Sequence, residues 1–109
     1  MQNNTDLIYV FWSAASRAEA QQIARALLDQ RLIACATLFP EVESIYRWEG
    51  NIEESSEVKV ILKTRKEHFE AIEKSILAQG SYAVPEIAQV EITRANPRYV
   101  SWALEETLI

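Results

Sequence analysis

The chain has 109 residues, 49% of them apolar, as expected for one ordinary globular domain spanning residues 1–109. Its 11 basic residues against 16 acidic ones give 11 − 16 = −5, so its average surface repels a phosphate backbone and nucleic acid is excluded as a partner. The N-terminal Met1-Gln2-Asn3-Asn4-Thr5-Asp6 lacks a basic leader region and the apolar run after it is too short for a signal core or a membrane span, which predicts a cytoplasmic protein with no membrane partner.

Leu7-Ile8-Tyr9-Val10-Phe11-Trp12 is aliphatic and aromatic throughout, a pattern that predicts a central strand covered on both faces. Ser16-Arg17-Ala18-Glu19 has the spacing of a capping box, in which the Ser16 hydroxyl accepts from the Glu19 amide and Glu19 reaches back. A helix follows, because Ala20, Ile23, Ala24, Leu27 and Leu28 recur at helical spacing and leave Glu19, Gln22, Arg25 and Asp29 outward. Cys35 is the one cysteine and cannot form an internal disulfide. Its Ala34-Cys35-Ala36 setting predicts a small core residue; the functional alternative is a soft-metal ligand repeated around an oligomer axis.

Residues 37–39 and 42–48 read as one hairpin arm kinked at Pro40, Glu49-Gly50-Asn51 as its turn, and Glu57 to Lys63 as the returning arm. Thr64-Arg65-Lys66-Glu67 reads as a second capping box, opening a helix with the stripe Phe69, Ile72, Ile76 and Leu77 that ends at a left-handed Gly80. His68, near its start, lacks a ligand partner at helical spacing and is expected to be a solvated surface residue. Glu86 to Ile92 supplies a fourth strand. Asn96-Pro97 pairs an N-cap with proline at the first helical position and opens a last helix faced by Tyr99, Trp102 and Ala103.

This order, β-α-β-β-α-β and a helix, is the α+β ferredoxin-like sandwich with an extended hairpin of its second and third strands and a C-terminal helix. With arms of about 10 residues the hairpin should extend roughly 15 Å past the sheet. A lone ribbon rich in Ile45, Tyr46, Trp48, Val58 and Val60 invites aggregation, and pairing with identical ribbons in a closed ring removes the hazard. A cyclic homo-oligomer is therefore expected. Tyr46 and Trp48 alternate onto one face of the ribbon, where packing against a neighbouring subunit is the expected role and stacking on a ligand the alternative.

Several separated segments together resemble the CutA divalent-cation tolerance family: Arg31-Leu32-Ile33-Ala34-Cys35-Ala36, Ser44-Ile45-Tyr46-Arg47-Trp48-Glu49-Gly50, Glu57 through Thr64, Tyr82 with Val84-Pro85-Glu86-Ile87, and Tyr99 with Trp102. The resemblance implies a homotrimer of ferredoxin-like subunits that takes part in tolerance of or response to metal ions, copper (Cu²⁺) above all, without catalysis. It also implies a cleft between neighbouring subunits holding Lys63, Tyr82, Glu86 and Trp102, with a divalent cation or small molecule as ligand. Where many members carry His-Pro before the tyrosine, this chain has Gly80-Ser81.

Each cleft residue also has a plainer reading. Lys63 is either a solvated charge at a strand end or an anion-binding lysine facing Glu86 and the tyrosine hydroxyl across a subunit boundary. Pro85 sets a rigid start to the last strand and Glu86 can pair with a basic residue. Glu53, Glu54 and Glu57 form an acidic cluster, a solubilising face or, repeated around a ring, a weak site for a hard divalent ion.

Three other classes share the fold. A signalling trimer like the PII nitrogen regulators, sensing a small anionic ligand and contacting partner proteins, needs a glycine-rich phosphate cradle that is hard to build from Gly50 and Gly80 alone. An acylphosphatase-like enzyme needs such a cradle after the first strand, and Ser13-Ala14-Ala15-Ser16-Arg17 has no glycine. RNA-recognition sheets stack bases on alternating aromatics; Tyr9 and Phe11 alternate, but residues 57–62 have no aromatic to match them.

Overall fold

The computed structural model describes residues 5–108. The polar leader reading falls largely on residues 1–4, which lie outside the described residues. In chain order the elements are β1 (Leu7–Ala14), α1 (Arg17–Asp29), β2 (Cys35–Trp48), β3 (Asn51–Arg65), α2 (Phe69–Gln79, entered through a 3₁₀ turn at Lys66–His68), β4 (Ile87–Glu91) and α3 (Pro97–Glu106). The strands form one antiparallel sheet in the order β2-β3-β1-β4, the ferredoxin-like arrangement.

The period-2 geometry of strands sorts the β1 side chains. Ile8, Val10 and Trp12 face α1 and α2 and close the main core with Val58, Val60, Leu62, Ile23, Leu27, Ile72 and Ile76. Leu7 and Tyr9 point the other way, into a smaller cluster with Ala34, Ala103, Tyr99 and Val100 that α3 covers. Phe11 stays half-buried on that face, beneath the Lys59 ammonium 5.1 Å from its ring centre. The expected double cover of β1 is thus complete on the α1/α2 side and partial on the other, because α3 reaches only one end of the strand.

Helix boundaries separate pattern from context. The Ser16 hydroxyl accepts from the Glu19 amide at 3.1 Å, but the Glu19 carboxylate turns away and accepts from the Ser81 amide at 3.3 Å, so only half of the capping box forms. Thr64 is no cap at all: it is a fully buried β3 residue whose hydroxyl donates to the Leu32 carbonyl at 2.6 Å. Gly80 is extended (φ -80, ψ 158), and its need for glycine is spatial, since a Cβ there would stand 2.9 Å from the Ile76 carbonyl oxygen. The left-handed cap falls instead on Arg31 (φ 59), where the Leu32 amide donates to Leu27 and the Arg31 amide to Leu28, the paired bonds of a Schellman motif. Asn96 caps α3 as expected, accepting from the Arg98 and Tyr99 amides at 2.8 and 3.4 Å. His68 is half-buried, and its Nε2 bonds the Thr107 carbonyl at 2.8 Å, tying α2 to the end of α3 instead of facing solvent.

The hairpin is longer than its sequence signal. β2 has 14 residues and β3 has 15, joined by the two-residue turn Glu49-Gly50 with φ of 50 and 86, the mirror-image turn that suits strand twist. Between Phe39 and Val42 the register shifts, so the kink expected at Pro40 is a bulge on β2 while β3 runs through. Residues 51–57 of β3 lie beyond the last β1 partner, about 23 Å of ribbon at 3.3 Å per residue. Val58 and Val60, expected on the ribbon, lie in the main core instead. The chain measures 48 × 29 × 22 Å along its principal axes.

Candidate functional site

Where the ribbon leaves the sheet, the segment between α2 and β4 folds across it and leaves a cavity of about 490 Å³, within the size range of small-molecule sites. Its walls are Ser13 from β1, Ser44, Tyr46 and Trp48 from β2, Glu57 from β3, and Tyr82, Ala83, Val84 and Glu86 from the segment. Local chemistry holds that segment at both ends. Glu19 accepts from the Ser81 amide at its start. At its end the Pro85 ring fixes its own φ, and the Ser13 amide donates to the Glu86 carbonyl at 3.2 Å.

The Glu86 carboxylate accepts from the Lys59 ammonium at 2.6 Å and from the Ser13 hydroxyl at 3.0 Å. The bond from Lys59 holds its pKa below the usual carboxylate value, and Ser13 adds to that against the cost of burial. Glu57 differs: the Ser44 hydroxyl donates to it at 2.6 Å, and no basic side chain pairs with it among the described residues. Burial, and then the neighbouring Glu57 carboxylate, push the Tyr82 phenol up to about 12.

Of the four cleft residues expected from the sequence, the single chain brings together Tyr82 and Glu86. Lys63 lies four positions from Lys59 on β3, about 13 Å away, with its ammonium bonded to the Thr37 hydroxyl, 3.7 Å from the Cys35 sulfur and 5.7 Å from the Tyr9 ring centre. Trp102 stands on α3, 42% exposed, beside Tyr99 and in a shallow groove with Pro97, Arg98, Ser101 and Glu105. Tyr46 and Trp48 form the ribbon wall of the cavity and remain 41% and 43% exposed.

Cys35 is half-buried on the α3 side of the sheet and is not the core residue its apolar neighbours suggested. A cation at its sulfur would meet the Lys63 ammonium, and the other near polar atom is the weakly coordinating Thr37 hydroxyl at 3.9 Å. Within one chain these residues do not fit a copper or zinc site, and no group of three or more His, Cys, Asp or Glu among the described residues is placed to hold a metal. The acidic cluster also divides: Glu54, paired with Ile45, lies on the opposite ribbon face from Glu53 and Glu57.

Lys59, Ser13, Ser44 and Glu19 were missed by sequence reasoning. The first two become legible only from the β1/β3 register, which sets Ser13 opposite Lys59. Ser44 needed the β2/β3 register, and Glu19 was taken up by its expected cap.

The model of the family described as CutA1 divalent ion tolerance protein matches residues 8–106. The chain is 37% identical over 100 residues to the divalent-cation tolerance protein CutA of Escherichia coli O45:K1, covering 92% of this chain and 89% of the relative. The chain belongs to the CutA1 family. Solved CutA structures agree: the periplasmic divalent cation tolerance protein CutA from Archaeoglobus fulgidus matches with a TM-score of 0.91 at 33% identity, over 94% of this chain and 99% of that one. CutA1 from Pyrococcus horikoshii matches with 0.87 at 37% identity, over 94% and 99%. No helix among the described residues is long and apolar enough to cross a membrane.

Proposed function

We propose that this divalent-cation tolerance protein acts as a non-enzymatic homotrimer whose inter-subunit clefts, built around Tyr82 and Glu86, take a metal ion or a small ligand. The carrying observation is the ribbon, which on the face away from the cavity leaves Ile45 and Ile52 each 63% exposed, apolar surface that a neighbouring copy would cover. Lys63 and Trp102 lie apart from Tyr82 and Glu86 in one chain, so a shared cleft requires them from an adjacent subunit. The same holds for copper, since among the described residues Cys35 lacks fitting donors in its own chain, so a metal site there would draw on more than one chain. In support of a role without catalysis, the only histidine is engaged with the Thr107 carbonyl, tying two helices together.

Native mass spectrometry of the metal-stripped protein tests this, repeated after near-stoichiometric Cu²⁺ and then Zn²⁺. A trimer is expected, and a monomer at micromolar concentration would overturn the assembly. A fixed number of ions per trimer identifies a metal site; a trimer that takes up none assigns the cleft to another small ligand.

A further inference from the structure

The cavity at the base of the ribbon has a composition that selects a type of ligand. Two carboxylates reach it, but Lys59 already neutralises Glu86. Glu57 is half-buried and engaged by the Ser44 hydroxyl and the Tyr82 phenol, both uncharged donors, so its negative charge is uncompensated by any basic side chain among the described residues. Around it stand Tyr46, Trp48 and Tyr82, with Val84 at the rim, 72% exposed. Besides burial, the Glu57 and Glu19 carboxylates resist ionisation of the Tyr82 phenol, so the local potential is negative.

A hard divalent ion needs six or more oxygen ligands and a borderline metal needs nitrogen or sulfur, neither of which one free carboxylate among aromatic rings supplies. Aromatic faces attract weakly hydrated cations, and a carboxylate beside them fixes the charge. We infer that this cavity binds a small organic ammonium ion, its charge against Glu57 and its apolar body against Tyr46, Trp48, Tyr82 and Val84. The inference deepens the reading of the cleft as a ligand site and rests on it.

Calorimetric titration of the intact protein with benzylammonium chloride at neutral pH and low salt tests it, with benzyl alcohol as the uncharged counterpart. Saturable binding at least tenfold tighter than benzyl alcohol is expected, with ¹⁵N shift changes gathered at residues 81–86 and the Trp48 indole. Glu57→Gln should lower the affinity at least tenfold, and Tyr82→Leu, outside both cores, should lower it severalfold if the first variant fails to fold. Equal affinity for the alcohol, or no loss in either variant, would overturn the inference. Native mass measured on the same samples separates the two readings. A trimer indifferent to benzylammonium sinks the ligand class and leaves the assembly standing, whereas a monomer that binds it through Glu57 does the reverse.

Discussion

The two halves of β3 obey the same alternation with opposite results. From Val58 to Thr64 every second residue is at most 4% exposed, because β1 and β2 flank the strand and two helices cover it. From Asn51 to Glu57 the strand has β2 alone beside it, and its side chains stay exposed or half-buried on both faces. A strand pattern therefore marks which residues can be buried, while the surrounding chain decides whether they are. In the body that requirement is met within one molecule; on the ribbon it is not.

The sharpest way to break this comparison is at Trp12, 1% exposed in the main core. Trp12→Ala should cost about 3–5 kcal/mol of stability, lowering the melting temperature at every protein concentration. Ile45→Ala, on the ribbon face away from the cavity, should act on assembly, weakening it by about 2 kcal/mol per site, which sedimentation over a dilution series would read as earlier dissociation. If both substitutions shifted melting alike and independently of concentration, the distinction between body and ribbon would be wrong.

Smaller effects sharpen it. Glu49 holds φ at 50 in a turn that favours asparagine before glycine, so Glu49→Asn should stabilise the ribbon by about 0.5–1 kcal/mol, visible as slower amide exchange along residues 45–53. The smallest effect is expected at the junction. Glu86 has a folded pKa depressed by Lys59, so its contribution is present above the unfolded carboxylate value of about 4.3 and is lost as pH falls through the lower folded value. Because the pair is partly exposed and screened, the loss is modest. Melting curves between pH 6 and 3 should fall less steeply for Glu86→Gln than for the parent.

The fold was legible because strand and helix periods are written in the apolar residues, and the Asn96-Pro97 start needed no tertiary information. Thr64 shows where that legibility stops. Its spacing to Glu67 matches a cap, yet the strand run continues through it, because its register opposite Ile8 places it in the core with the Leu32 carbonyl in reach. Gly80 and Arg31 exchange expected roles for a similar reason: the glycine answers to a nearby carbonyl, and the left-handed cap tolerates an arginine when Leu27 and Leu32 pack beneath it. At the site, Tyr82 and Glu86 stood out within one short segment. Lys59 could not, since its role depends on pairing with a strand more than forty residues away, and Lys63 offers the same charge on the same face.

The tight turn at Glu49-Gly50 also sets an order of events. β2 and β3 are neighbours in sequence and can zip within about 1–10 microseconds, whereas β1 must wait for β3 and β4, partners far along the chain. During synthesis the whole hairpin precedes α2, β4 and α3, so its apolar rows exist before the body that anchors them is complete. Nascent or refolding chains then expose those rows to one another early, and the yield of the proposed trimer should depend on how crowded they are at that moment.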